Sequence, residues 1–553
     1  MTSAIARAEA WIAQDPDPVT RGELQGLIAA ERSGDVAAAA ELEARFASRL
    51  EFGTAGLRGE IGAGPLRMNR LLVTQAAAGL AAYLLEREER PSVVIGYDGR
   101  HYSRVFAEDS AEILAGAGVA TTLLPRMLPT PVLAFAVRTL DTSAGVMVTA
   151  SHNPARDNGY KVYLGGADGG SQIVSPADAA IAAQIERVAA GSIVDLPRSA
   201  DYTIAGDELV EAYIGRSAEV VTHRGQLSVV YTPMHGVGRE VFERVIAAAG
   251  FAPVTVVTAQ AEPDPDFPTV AFPNPEEAGA MDLAIATAIE QNADLILAND
   301  PDADRVAVAI RDTETGGFRQ LSGNEVGWLL GWEAARRAVA TGAGGTLACS
   351  MVSSPALAEV ARRNGLAHVE TLTGFKWISR VPRLAFGYEE ALGYLVDPAK
   401  VRDKDGISAA MAVLSLASEL AERGAGLGDR LLEFAEEFGG FASQQISLRV
   451  ADLADIGRMM AGLRQAPPAA IGGVRVAMID DFLTGVDGFE PADILRFRLA
   501  DGARVIVRPS GTEPKLKCYV DTVSSVGEAI ERVAAARAEA ATIADAMRGL
   551  LTG

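Results

Sequence analysis

The chain has 553 residues, of which 49% are hydrophobic and 22% are charged, and its formal net charge is −22. This length and composition predict a globular protein of about three to five domains. The acidic excess argues against nucleic acid or an anionic membrane as a partner, because both need a basic surface. Two cysteines are too few for a disulfide framework, and the opening residues lack the apolar core of a signal peptide, so we expect a cytoplasmic protein.

Predicted helices and strands alternate along most of the chain. An alanine-rich segment with leucines and charges at helical spacing predicts a helix over residues 21–49. From residue 71 onward, three rounds of short apolar strands and helices follow, which predicts α/β units around mainly parallel sheets. After residue 440 the strands lie closer together and two helices are interspersed, which predicts an α+β domain.

We therefore expect three similar mixed-sheet α/β domains and a smaller α+β C-terminal domain. The predicted ranges are a helical lead at 1–50, a first domain at 51–205, a second at 206–320, a third at 321–440 and a fourth at 441–553.

The first polar motif, T-A-S-H-N-P, follows the apolar strand at 144–150 and contains Ser151. Ligands of α/β sheets bind outside the carboxyl ends of strands, so a serine here can act as a nucleophile if a neighbour activates it. Taken alone, the motif fits an ordinary polar turn about equally well. The G-x-S-x-G elbow of hydrolases is absent.

The second motif, D-P-D-A-D-R, follows the strand at 294–299 and places Asp300, Asp302 and Asp304 at alternate positions. In an extended segment these side chains share one face, and three close carboxylates favour a hard divalent cation such as Mg²⁺. An EF-hand would need glycine and glutamate where Arg305 and Arg311 stand. An exposed acidic loop is the remaining alternative.

Two further segments carry polar side chains. One of them places basic residues around a Ser-Gly-Thr turn, as in an anion-binding nest: R-P-S-G-T-E-P-K-L-K (508–517). The alternative for this segment is a basic hairpin tip. F-G-Y-E-E-A-L-G-Y (386–394), with T-G-F-K-W (373–377) upstream and R-D-K-D-G (402–406) downstream, suits contact with sugar hydroxyls. A solvated strand end is an equal alternative for this segment.

Together with F-G-T-A-G-L-R-G (52–59), these motifs resemble the α-D-phosphohexomutase superfamily over about nine-tenths of the chain. The helical lead and the motif G-Y-E-E-A-L-G resemble those of its phosphoglucomutase/phosphopentomutase branch. The resemblance implies four domains around a central cleft, a phosphoserine at Ser151, and Mg²⁺ held by that serine and by Asp300, Asp302 and Asp304. It implies that Arg58, His152, Lys161 and Arg305 serve catalysis, and that the substrate is bound by Asn153, Thr373, Gly374, Lys376, Glu389, Lys404, Arg508, Ser510, Gly511, Thr512 and Lys515.

The implied activity interconverts hexose 1-phosphate and 6-phosphate, with glucose as the leading sugar, through a sugar bisphosphate that is both intermediate and activator. Many hexomutases have a serine in the sugar loop where this chain has Ala391, which leaves the preferred sugar open. The alternatives are phosphomannomutase or phosphopentomutase activity, a sugar 1,6-bisphosphate synthase, a metal-dependent phosphatase and a non-catalytic binding module. The expected partner is a small phosphosugar, and the protein is expected to be a monomer or homodimer.

Overall fold

A computed structural model describes residues 3–312, 315–450, 452–486, 488–510 and 515–552. The chain divides into two compact units, one formed by Met1–Gln320 with Gly393–Ser418 and the other by Leu321–Leu392 with Glu419–Gly553. Within the described residues the strands form four sheets. None of the helices in those ranges is both long and apolar enough to cross a membrane.

The N-terminal lead is helical but broken. Its helices are α1 (Ala4–Ile12), α2 (Pro18–Arg32) and α3 (Val36–Phe46). The prediction of one helix over 21–49 is wrong at 33–35, because Gly34 has a φ of +93° and Asp35 Oδ1 accepts the Ala37 N–H at 2.8 Å, which caps α3. The buried faces of the three helices form one apolar cluster, which includes Trp11, Leu24, Leu42 and Phe46.

The first sheet contains the strand that leads to Ser151. Its region comprises β1 (Leu57–Glu60), α4 (Arg70–Leu85), β2 (Ser92–Tyr97), α5 (Ser103–Gly116), β3 (Ala120–Leu123), α6 (Thr130–Thr139), β4 (Ala144–Val148), β5 (Asp157–Leu164), β6 (Ser171–Gln172), α7 (Ala177–Ala189) and β7 (Thr203–Ile204). The strand order is β1-β5-β4-β2-β3-β7, with β6 paired to β5. Strands β4, β2 and β3 are parallel, β5 is antiparallel to β4, and α4, α5 and α7 pack into the buried core of this sheet.

The second sheet repeats this arrangement. Its region comprises α8 (Glu208–Ala218), β8 (Val229–Thr232), α9 (Gly238–Ala249), β9 (Thr255–Val256), α10 (Asp282–Glu290), β10 (Leu295–Asn299), β11 (Val306–Arg311) and β12 (Phe318–Gln320). The order is β12-β11-β10-β8-β9. Strands β10, β8 and β9 are parallel, and β11 is antiparallel to β10.

The third sheet again contains three parallel strands. Its region comprises α11 (Gly323–Thr341), β13 (Thr346–Ser350), α12 (Ala356–Arg363), β14 (Ala367–Thr371), α13 (Phe375–Ile378) and β15 (Leu384–Glu389), and along the chain there follow β16 (Gly393–Leu395), α14 (Gly406–Glu422) and α15 (Leu427–Phe438). Strand β13 lies between β14 and β15 and is parallel to both.

The fourth sheet is antiparallel. Its region comprises β17 (Gly440–Arg449), α16 (Leu453–Gln465), β18 (Ala470–Ile471), β19 (Val474–Asp481), β20 (Leu495–Leu499), β21 (Arg504–Pro509), β22 (Lys515–Ser524) and α17 (Ala529–Thr552). The order is β17-β22-β21-β20-β19-β18. The predicted fold class, three similar α/β regions followed by an α+β region, is thereby confirmed.

The polar motifs occupy one equivalent position in the first three sheets. In each sheet the central parallel strand, β2, β8 or β13, has a parallel neighbour, β4, β10 or β15, that ends at a motif. Ser151 follows β4, Asp300 follows β10, and Glu389 is the last residue of β15. The repeated fold therefore presents three chemically different loops at the carboxyl ends of three corresponding strands.

Candidate active site

Ser151 lies in a tight turn directly after β4. Its backbone is left-handed, with a φ of +52°, and its N–H donates to Thr149 Oγ1 at 2.9 Å. The buried Ser151 Oγ donates to Asp300 Oδ2 at 2.8 Å and lies 3.1 Å from His152 Nδ1. The predicted nucleophile is thus in direct contact with the first of the predicted metal ligands.

The acidic loop, residues 300–304, gathers its three aspartates into one buried cluster. Carboxylate oxygens of Asp300, Asp302 and Asp304 all lie within 4.8 Å of one another. The predicted convergence of the three carboxylates is confirmed, but the prediction of an extended segment is wrong, because the loop turns and Ala303 has a φ of +55°. Three buried carboxylates at this distance repel one another unless cations compensate them, so the cluster could bind a metal ion.

The hydrogen bonds of the cluster leave particular oxygens open. Asp302 Oδ2 accepts from Lys161 Nζ at 2.8 Å and from Thr130 Oγ1 at 2.6 Å, while Asp304 Oδ2 lies 3.1 Å from Lys161 Nζ and 3.2 Å from Lys404 Nζ. The Oδ1 atoms of Asp302 and Asp304 are buried and accept no hydrogen bond from the described residues. These two buried oxygens, one of which lies 3.8 Å from Arg305 Nε, fit a hard cation with oxygen ligands.

The pKa values of Asp300 and Asp304 shift in opposite directions. Burial and the two neighbouring carboxylates raise the pKa of Asp300 well above its ordinary value. Burial acts in the same direction on Asp304, but Lys161, Lys404 and Arg305 outweigh it and lower the pKa of Asp304. Burial lowers the pKa of Lys161, yet Asp302 and Asp304 outweigh that effect and raise it, so Lys161 stays charged.

The remaining predicted groups of this unit surround the same turn. Arg58 Nη1 donates to Asn153 Oδ1 at 3.3 Å, and the Arg305 N–H donates to Asp300 Oδ1 at 3.0 Å. Loss of solvent lowers the pKa of His152 well below its ordinary value, and Arg305 and Arg58 act in the same direction. The imidazole is therefore neutral near pH 7.

Two contacts of this site were missed by the sequence reasoning. Arg100, after β2, donates to main-chain carbonyls of the Ser151 turn, and Thr130, at the start of α6, bonds Asp302. The signal for Arg100 was its position, since the D-G-R segment follows a strand adjacent and parallel to β4. Thr130 offered no comparable signal, because it reaches the acidic loop of a different sheet.

In the second unit, the predicted sugar-contact residues lie around the end of β15. Glu389 Oε1 accepts the N–H of Gly374 at 2.7 Å, which links the two predicted loops. Thr373 Oγ1 is buried without a hydrogen-bond partner among the described residues, and Lys376 Nζ lies 5.8 Å from the centre of the Trp377 ring. Glu390 is engaged elsewhere, since its carboxylate accepts from the hydroxyls of Ser350 and Ser353 at 3.0 Å.

The predicted phosphate loop connects β21 to β22 in the same unit. Arg508, Ser510 and Lys515 are half-buried, and the Ser510 N–H donates to the Lys515 carbonyl at 2.8 Å, which closes the base of the loop. Gly511 and Thr512 lie outside the described residues.

Comparison with known proteins agrees with this fold. The chain matches the four domains of the phosphoglucomutase/phosphomannomutase family: alpha/beta/alpha domains I, II and III at residues 49–191, 210–316 and 322–438, and the C-terminal domain at 446–540. A solved structure of a phosphoglucomutase/phosphomannomutase family protein from Burkholderia thailandensis has the same fold, with a TM-score of 0.69 and 20% identity over 91% of this chain and 97% of that one.

Sequence relatives are closer. A Haemophilus influenzae protein described as "Probable phosphomannomutase" is 57% identical, over 85% of this chain and 96% of its own length. A mouse "Phosphopentomutase" is 35% identical over 94% of this chain and 90% of its own, and a Staphylococcus aureus "Phosphoglucomutase" is 34% identical over 86% and 90%. The chain belongs to the phosphoglucomutase/phosphomannomutase family, within the α-D-phosphohexomutase superfamily. It is a phosphosugar mutase, an isomerase of carbohydrate metabolism.

Proposed function

We propose that Ser151 carries the phosphoryl group and that the enzyme interconverts glucose 1-phosphate and glucose 6-phosphate through glucose 1,6-bisphosphate. The observation that carries this proposal is the contact of Ser151 Oγ with Asp300, 2.8 Å away, inside a buried cluster of three carboxylates. A serine in that position can hold a phosphate only if cations offset the charge, and the cluster supplies the oxygens for one.

The cofactor that fits these oxygens best is Mg²⁺, a hard ion that binds carboxylates and phosphate together. Asp300, Asp302 and Asp304 would hold it, and when bound it would neutralise the charge on the phosphoserine side. A sugar bisphosphate is the second proposed requirement, since it leaves Ser151 phosphorylated at the start of each cycle.

The chain's own residues supply position, charge and proton transfer. Arg58 Nη1 donates to Asn153, and Arg305 Nε lies 3.8 Å from Asp304 Oδ1. Both guanidinium groups are proposed to stabilise the transferring phosphoryl oxygens. Neutral His152, 3.1 Å from Ser151 Oγ, is proposed to exchange the proton of that hydroxyl, whereas Lys161 is held in its charged form by two carboxylates.

Residues of the second unit are also proposed to contact the phosphosugar. Thr373, Gly374, Lys376 and Glu389 are the proposed sugar contacts. The segment with Arg508, Ser510, Gly511, Thr512 and Lys515 is proposed to bind the phosphate that is not transferred, because guanidinium and ammonium groups suit a phosphate dianion. Lys404, beside Asp304, is a further proposed substrate contact.

Mannose phosphates form the second candidate substrate pair. The specific observation is the 57% identity to the Haemophilus influenzae protein described as a probable phosphomannomutase. The acidic net charge and the two unpaired, buried cysteines support the accompanying proposal of a cytoplasmic enzyme that acts on small phosphosugars.

The test is a panel of glucose, mannose, ribose and deoxyribose 1-phosphates with Mg²⁺ and a trace of glucose 1,6-bisphosphate, combined with intact mass. We expect the highest kcat/KM for glucose 1-phosphate, one phosphate on Ser151, and no turnover in Ser151→Ala. Ser110→Ala is the matched control, because that buried hydroxyl donates to the carbonyl of Phe106, outside the Ser151 turn. Turnover of Ser151→Ala near the wild-type rate contradicts the mechanism, and net bisphosphate formation or steady phosphate release identifies a synthase or a phosphatase instead.

A further inference from the structure

Arg100 connects two loops of the first sheet through four hydrogen bonds from its two terminal nitrogens. Its Nη2 atom donates to the carbonyl oxygens of Ser151 and Asn153, each at 2.6 Å. Its Nη1 atom donates to the carbonyls of Pro154 at 2.8 Å and Asp157 at 3.2 Å. The side chain is 1% exposed, so four main-chain carbonyls of one loop converge on a single buried cation.

The orientation of this guanidinium is itself fixed. Asp98 Oδ2 lies 3.5 Å from Arg100 Nε, and Asp98 Oδ1 accepts from the Arg100 N–H at 3.0 Å and from Ser103 Oγ at 2.6 Å. The ring centre of Phe267 lies 5.0 Å from Arg100 Cζ. Arg100 Nε and Asp98 Oδ2 form no hydrogen bond at that distance, so the carboxylate and the ring flank the guanidinium while the four carbonyls fix its orientation.

The loop that Arg100 holds contains a strained residue. Ser151 has a left-handed backbone, which a residue with a β-carbon seldom adopts and which persists only where its surroundings impose it. The carbonyl of that same residue is one of the four that Arg100 binds. Arg100 therefore acts on the backbone that determines where Ser151 Oγ points.

The same kind of support occurs at the equivalent place in the other two α/β sheets. After β8, the Val237 N–H donates to the carbonyl of Pro301 in the acidic loop at 2.9 Å. After β13, Ser353 Oγ donates to Glu390, beside the end of β15. The loop after the central strand thus supports the functional loop of its neighbour in all three sheets.

We propose that Arg100 is a positioning residue of phosphoryl transfer, which holds the Ser151 turn in its reactive conformation without touching the substrate. The proposal rests on the proposed role of Ser151 as the phosphoryl carrier. The proposed role depends on the shape of the guanidinium as well as on its charge. The single nitrogen of a lysine cannot donate to all four carbonyls that the two terminal nitrogens of Arg100 bind.

The test compares Arg100→Lys with Arg70→Lys. Arg70 belongs to the same unit and forms a two-bonded ion pair with Asp109, outside the Ser151 turn, so it controls for the substitution itself. We expect Arg100→Lys to lower kcat about 100-fold, the effect of a small misplacement of a reacting group. The KM for glucose 1-phosphate should change by less than about threefold, because no substrate contact is removed.

A second readout separates positioning from a loss of folded protein. Single-turnover phosphorylation of Ser151 by glucose 1,6-bisphosphate, followed by intact mass, should slow in Arg100→Lys by the same factor as kcat. If that variant does not fold, Asp98→Asn tests the proposal instead. This substitution keeps the shape of the side chain but removes the negative charge 3.5 Å from Arg100 Nε, and kcat should fall about tenfold. A kcat within about threefold of wild type in either folded variant overturns the proposal. A wild-type enzyme that never acquires phosphate on Ser151 overturns the proposed function instead.

Discussion

Thr130 is the first residue of α6, and it holds the acidic loop with two hydrogen bonds. Its N–H donates to the Asp302 carbonyl at 2.9 Å and its hydroxyl donates to Asp302 Oδ2 at 2.6 Å. Because Lys161 bonds the same Oδ2 atom, Oδ1 is left buried without a hydrogen-bond partner among the described residues. The threonine hydroxyl thus helps to select which oxygen of Asp302 faces a cation.

Replacement of Thr130 by valine should weaken metal binding while leaving the fold intact. Valine keeps the shape and the main-chain hydrogen bond but removes the donor to Oδ2, so the carboxylate can rotate. We expect the Kd for Mg²⁺ to rise about tenfold, as is usual when a residue that orients a metal ligand is lost. The measurement is calorimetric titration of the substrate-free protein with Mg²⁺.

Two variants control this experiment. Thr130→Ser retains the hydroxyl and should bind Mg²⁺ as the wild type does. Thr121→Val removes another buried hydroxyl of the same unit, one that bonds the carbonyl of Val119, and should also have no effect. Equal Mg²⁺ affinities for Thr130→Val and wild type would show that Thr130 has no role in orienting Asp302.

At the scale of elements, the strands that lead into the motifs were predictable and the turns that follow were not. Apolar runs predicted β4 and β10 to within one or two residues of their ends. The turns depend on left-handed backbones at Ser151 and Ala303, residues whose intrinsic preference is against that conformation. Long-range contacts impose the left-handed conformation at these residues. The sequence alone does not show that Arg100 lies within hydrogen-bonding distance of the Ser151 turn.

The C-terminal helix α17 carries a titratable contact with the fourth sheet. Glu539 of α17 is half-buried, and burial together with the neighbouring Asp501 carboxyl raises the pKa of Glu539 to about 7. Asp501 belongs to the turn between β20 and β21. The folded protein therefore retains a proton on Glu539 at pH values where the unfolded chain has lost it.

This linkage sets the sign of a pH effect. Between the ordinary glutamate value of 4.5 and the folded value of about 7, the native state binds more protons than the unfolded state, so stability falls as pH rises through that window. We expect Asp501→Asn to raise the Tm at pH 8, to leave it unchanged at pH 4, and so to flatten the dependence. Much of the carboxyl group remains solvated, so the effect should be small.

The comparison for this experiment is Asp201→Asn, which removes one negative charge from an exposed position in the other unit. Thermal unfolding of the three proteins at several pH values measures the difference. If Asp501→Asn and wild type lose stability in parallel between pH 4 and pH 8, Asp501 does not influence the titration of Glu539.

At the scale of the whole molecule, the net charge of −22 contrasts with the composition of the Ser151 site. Five basic side chains are collected around three carboxylates and the serine, from segments far apart in sequence: Arg58, Arg100, Lys161, Arg305 and Lys404. Motif order predicted four of them through the family resemblance. The net charge predicted only that basic residues must be concentrated at one site to bind an anion. It does not indicate which basic residues form that site.

The acidic charge also means that Mg²⁺ can act on this protein in two ways, by screening the whole surface or by binding the acidic loop. Screening acts wherever the surface is acidic, whereas binding to Asp300, Asp302 and Asp304 stabilises the unit that contains them. An ion that binds only the folded state adds about 2.7 kcal/mol of stability at a concentration 100 times its Kd. Hydrogen exchange, read peptide by peptide, distinguishes the two effects.

We expect Mg²⁺ to slow amide exchange most strongly in β4, β5, β10 and β11, the strands on either side of Ser151 and the acidic loop. Strands β20 to β22 of the other unit should change no more than they do in NaCl of equal ionic strength. The double variant Asp302→Asn, Asp304→Asn should lose the specific protection, because only one carboxylate of the cluster remains. If the strands beside the acidic loop exchange equally fast in Mg²⁺ and in the matched NaCl, the buried carboxylates do not form the metal site, and the oxygens that Thr130 and Lys161 leave open have another purpose.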